Sequence, residues 1–109
     1  MSAKTERIRA LNDRLRTTGM GGDIVVTPGL ASVGTDVLAS VFARVQAFTD
    51  FTTDNDPHGE HDFGLLQVGE LKIMFKVDYY DRRLRGHSPD PSDPGVTRRV
   101  LTIMLAEDY

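Results

Sequence analysis

The chain has 109 residues, 39% of them hydrophobic and 27% charged, with a formal net charge of −3. That is the length and balance of one globular domain, residues 1–109, large enough to bury a core. The absence of cysteine excludes disulfides and thiolate metal sites, and no apolar run reaches the ~18 residues that a membrane span needs.

Residues 3–17 are predicted as a first helix, with Ile8, Leu11 and Leu15 at +3 and +4 making one narrow apolar stripe. Arg7, Arg9, Arg14 and Arg16 are assigned to its polar faces, and Gly19 to its C′ position. A stripe this thin predicts a peripheral arm, or a contact surface for a partner or a second copy. Asp23 to Thr27 is a β-branched run with apolar residues on both faces, predicted as a buried or central strand that ends in a turn at Pro28-Gly29. Thr35 to Phe48 is the clearest helix. Thr35 is its expected cap, Asp36 sits at the positive end of the dipole, and Leu38, Val41, Phe42, Val45 and Phe48 share one face.

Two strands are expected next, 63–68 and 71–79. In the second, Leu71, Ile73, Phe75, Val77 and Tyr79 alternate strictly with polar and mixed residues. Gly69-Glu70 between them has the form of a type II′ hairpin turn. Residues 81–95, with three prolines and three aspartates, read as an irregular loop. Asp93-Pro94 is a good cap and first-turn pair, so residues 94–107 are expected as a last helix. A buried strand is the rival for the apolar run VLTIML. The predicted fold class is α+β: a small, mainly antiparallel sheet packed by helices.

The segment Phe51 to Gly64, FTTDNDPHGEHDFG, concentrates the candidate chemistry. Asp54 and Asp56 with His58 and Gly59 imitate the start of a calcium loop. Position 12 would be Leu65 where a bidentate glutamate is required, which removes an EF-hand. His58 and His61 with a carboxylate are compatible with a transition metal. The competing expectation is architectural: Asp and Asn side chains bonding nearby backbone N–H groups in Asx-turns. Asp62 with Glu70 and Lys72 has the residue types of a nuclease site, but strand geometry separates Asp62 and Glu70 by roughly 20 Å at ~3.3 Å per residue. Hairpin pairing instead brings Asp78 to Arg83 beside Glu60 to Phe63.

Charge is uneven along the chain. Residues 1–18 carry five basic and two acidic side chains, residues 50–71 six acids and no base, and residues 72–89 five bases and two acids. This alternation argues against broad nucleic-acid binding and leaves local basic patches for a partner. The charged start, MSAKTERIRALNDRLR, lacks the apolar core of a secretory signal, so a cytoplasmic location is expected. No phosphate-binding glycine loop and no nucleophile–base pair is evident.

The strings DNDPHGEHDFG, KVDYYD, SPDPSDP and RVLTIMLAEDY resemble a family of small bacterial proteins of unknown function, associated with alphaproteobacteria and their plasmids. The resemblance runs from Asn12 to Tyr109. The position of His58 is usually Tyr in that family, which leaves His61 as the better ligand candidate. The resemblance implies no activity and no cofactor; a plasmid setting implies an accessory role. The expected function is therefore a non-enzymatic protein-interaction module. Its working surface would be the loop cluster 54–62/78–83, with Asp54, Asp56, Glu60, His61, Asp62, Tyr80, Asp81 and Arg82 as the site. The alternative is a metal-dependent hydrolase or nuclease holding a divalent ion with Asp54, Asp56, Glu60, His61 and Asp62. No other cofactor is called for.

Overall fold

The computed structural model describes residues 2–109. Helix α1 spans Ala3–Thr18, and Ser2 caps it by accepting the Thr5 N–H at 3.0 Å. Gly19 closes it in the left-handed region at φ 76, its N–H donating to the Leu15 carbonyl at 2.8 Å. Strand β1, Asp23–Val26, leads into a one-turn helix α2, Pro28–Ala31, where a simple turn was expected. Pro28 fits the first helical position because that residue's N–H needs no partner there. Helix α3 spans Thr35–Gln46. Gly34, not Thr35, stands at its N-cap, and Phe48 lies beyond its end yet is buried in the core.

Strands β2, Phe63–Val68, and β3, Leu71–Tyr80, form the expected antiparallel hairpin, with Val68 opposite Leu71. Gly69 takes φ 60 and Glu70 does not take a positive φ, which is the II′ pattern.

The last element corrects the sequence reading. Residues 98–105 are not helical: Arg98–Leu105 is strand β4, followed by a 3₁₀ turn at Ala106–Asp108. Asp93 caps no helix; its carboxylate accepts the Gly95 N–H at 2.8 Å in a tight Asx-turn. The sheet order is β1-β4-β3-β2, with β4 antiparallel to β3 and parallel to β1. A strand between two others carries apolar residues on both faces, and a continuous apolar run is its signature. The same order makes β1 an edge strand rather than a central one, and Val25 stays exposed.

All three helices pack on one sheet face. Leu15, Leu30, Val41 and Val45 meet Ile73, Phe75, Val77, Leu101 and Ile103 there. Each such side chain, fully buried, contributes roughly 1.5–3 kcal/mol. Gly64 makes room for the aromatic part of this core. A Cβ on it would lie 2.3 Å from the Phe75 ring and 3.0 Å from that of Phe48. Phe48 and Phe75 meet edge to face at 5.3 Å between ring centroids. The opposite sheet face centres on the buried pair Met74 and Met104.

Candidate functional site

The acidic loop is built on its own side chains. Asn55 accepts the Thr52 N–H and donates to the Asp50 carbonyl, both at 2.8 Å. Asp56 is buried, and its Oδ1 accepts the N–H groups of Glu60 and His61, each at 3.1 Å. Gly59 takes φ 70 and His61 φ 55, so the chain doubles back around that carboxylate. Both bonds fall on Oδ1, so the carboxylate shapes the turn from inside it, as an Asx residue does.

Helix α1 covers this loop and ties it to the sheet. Asn12 is fully buried. Its Nδ2 donates to the Glu60 carbonyl at 3.0 Å and to the Tyr79 hydroxyl at 2.8 Å. Its Oδ1 accepts from Arg99 Nε at 2.6 Å. Tyr79 in turn donates to Glu60 Oε1 at 2.8 Å. Arg99 is also buried, donates a second time to the Pro91 carbonyl, and lies 5.1 Å from the Tyr79 ring centroid. No carboxylate comes within ion-pairing distance of it among the described residues. Burial lowers its pKa, with Tyr79 and Glu60 acting in the opposite sense. The Tyr79 phenol is pushed far above its ordinary value, first by burial, so it stays a neutral donor.

A second set of contacts locks the same helix. His61 Nδ1 donates to Asp13 Oδ1 at 2.9 Å, and its ring stacks on Phe51 at 3.8 Å between centroids and 5° between planes. Its Nε2 lies 3.7 Å from Asp56 Oδ2. Arg16 donates to Asp13 at 3.0 Å and to the Phe48 carbonyl at 3.3 Å, with its guanidinium 5.0 Å from the Phe51 centroid. Arg16 is therefore buried, not on a polar face as expected, and α1 is part of the fold rather than a peripheral arm.

What stays uncovered at this end of the sheet is different. Asp62, Val77, Asp78, Tyr79, Tyr80, Gly86 and His87 line an open cleft of about 410 Å³. Asp62 forms no ion pair among the described residues, and its pKa is raised by burial, reinforced by Glu60 and Asp56. Tyr80 is exposed and bridges to His87 across the base of a loop, 81–86. Asp81 shapes that loop: its Oδ1 accepts the N–H groups of Arg83 and Arg85, each at 3.0 Å. The Asp81 N–H donates to the Gly86 carbonyl at 2.9 Å. At the tip, Leu84 is 49% exposed and held at φ 58. Arg82, Arg83 and Arg85 are exposed around it. Arg82 also borders a second cleft, of about 430 Å³, with Gly21, Gly22, Pro94, Thr97 and Arg98.

The expected site thus divides. Asp56, Glu60 and His61 are held in the packing under α1. Asp62 and Tyr80 share the open cleft, Asp81 and Arg82 belong to the adjoining loop, and Asp54 is exposed in the acidic loop. Among the described residues, no three His, Asp or Glu side chains converge to hold a metal ion. Sequence reasoning missed Asn12, Asp13, Arg16 and Arg99 as parts of this end of the sheet, whereas His87 lies in the cleft, at the end where the loop 81–95 was expected to return. One signal was present: Ile8, Asn12, Leu15 and Arg16 follow i, i+4, i+7, i+8 spacing, so two polar residues sit on the buried stripe. Arg99 alternates with Leu101 and Ile103, which speaks only once the segment is a strand.

Residues 26–108 match the model of a family described as proteins of unknown function, DUF3768. The match spans most of the chain, and the protein belongs to that family. It covers the acidic loop, the hairpin and β4, whereas α1 precedes it. No curated protein and no solved structure matches the chain. No helix among the described residues is long and apolar enough to cross a membrane.

Proposed function

We propose that this DUF3768 protein is a non-enzymatic protein-binding module whose working surface is the loop end of the β2–β3 hairpin. The observation that carries the reading is the division of groups at that end. The carboxylates of Asp56 and Glu60 are engaged internally, while Tyr80 and His87 line an open cleft and the arginines of the adjoining loop 82–85 are exposed. Exposed aromatic and arginine side chains beside a cleft are the residue types that anchor protein interfaces. A nucleophile paired with a base, the geometry that acyl or phosphoryl chemistry needs, is not among these groups.

The test is a photo-crosslinking residue placed at Tyr80 in the cells that make the protein, with Val37 on α3 as the control position. A defined protein adduct from position 80 that is absent from position 37 supports the module. No adduct, or the same adducts from both positions, refutes it.

A further inference from the structure

The loop 81–86 carries a feature that folding does not explain. Leu84 occupies the left-handed region, where a Cβ crowds the following carbonyl and glycine is the residue without penalty. Its side chain takes no part in the core and is half exposed. The strained geometry is nevertheless firmly determined. Asp81 holds two backbone N–H groups, its own N–H pairs with Gly86, and Leu84 N–H donates to the Asp81 carbonyl at 3.0 Å. The result is an exposed leucine flanked in the loop by three exposed arginines, none of which forms an ion pair among the described residues; Arg82 also donates to the Thr97 carbonyl at 3.4 Å. Strain over-determined by its surroundings is characteristic of binding loops.

We infer that loop 81–86 is a preformed finger that grips an acidic segment of a partner protein, with Leu84 seated against an apolar residue of that segment and Arg82, Arg83 and Arg85 pairing with its carboxylates. This rests on the loop end being the working surface and names the chemistry of what it binds. Guanidinium groups suit carboxylates through paired N–H donors, and a finger fixed in advance loses little entropy on binding.

The neighbouring charges select among polyanions. Asp62, Asp78 and Asp81 lie at or beside the finger, Asp78 in a pair with Lys76. They repel the evenly spaced phosphates of a nucleic acid and the continuous charge of an anionic membrane. A discrete peptide places its carboxylates only where the arginines are.

The test uses a random peptide library displayed on phage, selected against the full-length protein. The expected winners combine Asp or Glu with an apolar residue. Against the Arg83→Glu, Arg85→Glu double variant they bind about tenfold or more weakly, since charge pairs at an interface act at least on that scale. The Leu84→Gly variant removes the strain and the apolar tip together. It is expected to keep or raise its melting temperature while losing affinity for the same peptides. Winners without net negative charge, or winners bound equally well by both variants, overturn the inference. So does tighter binding of duplex DNA or phosphatidylglycerol vesicles than of the peptides. An adduct from Tyr80 that survives the arginine reversal would leave the binding module standing and remove the finger from it.

Discussion

Replacing Asn12 with leucine tests whether the buried polar chain beneath α1 holds the site together. The side chains are similar in size, so the perturbation is chemical rather than steric. Asn12 serves three partners: the Glu60 carbonyl, the Tyr79 hydroxyl and Arg99 Nε. Each buried polar group left without a partner costs about 1–3 kcal/mol, and a charged one more. Tyr79 keeps its bond to Glu60, and Arg99 keeps the Pro91 carbonyl. The loss therefore centres on one guanidinium N–H and one backbone carbonyl, for a total of about 3 kcal/mol. In a domain of this size that lowers Tm by roughly 10–20 °C. Urea unfolding followed by circular dichroism reads the free energy directly. Arg99→Met alone should cost a similar amount, because it strands the Asn12 carbonyl oxygen. The double variant, with neither polar partner present, should cost clearly less than the two single losses added. A change below about 0.5 kcal/mol for Asn12→Leu, the range of ordinary surface substitutions, would refute the reasoning. So would strict additivity.

Two further outcomes follow from the same geometry. Gly64→Ala drives a methyl group into the rings of Phe75 and Phe48 and is expected to destabilise by about 1–3 kcal/mol, read as an earlier urea midpoint with unchanged slope. Asp62→Asn tests the cleft. Because the Asp62 carboxyl has a raised pKa in the folded state, its protonated form supports folding below the ordinary value of 3.8, and that support is lost as pH rises through the folded value. The variant should therefore melt higher than the parent at pH 7, with the difference vanishing in acid. A lower melting temperature at pH 7 would show that the ionised group has a partner.

Much of the fold was legible because local and global preferences agree. The alternation from Leu71 to Tyr79 and the glycine at 69 predict the hairpin and its turn, and the stripe of α3 predicts the core helix. The loop's Asn55 and Asp56 behave as Asx residues should. The failures share one physical origin. Whether VLTIML is helix or strand depends on having β1 on one side and β3 on the other, which local periodicity does not carry. Its cap-like Asp93-Pro94 serves a turn instead. The burial of Asn12, Arg16 and Arg99 follows from partners 87, 32 and 8 residues away in sequence, at Arg99, Phe48 and Pro91. A buried arginine held by an amide, a carbonyl and a tyrosine ring leaves little trace in composition. The candidate site changed for the same reason. Seen as a string, the acids of 54–62 look available, and only the tertiary contacts show which are already engaged.

The division between architecture and working surface is tested most directly by the yield of photo-crosslinking from position 80, expressed per folded molecule. It is compared between His61→Ala and the Arg83→Glu, Arg85→Glu variant. His61 stacks on Phe51 and pairs with Asp13, so its loss should lower stability and leave the yield per folded molecule unchanged. Reversal of the two arginines should leave stability unchanged and abolish the yield. The opposite pattern, or equal losses in both, would contradict the account.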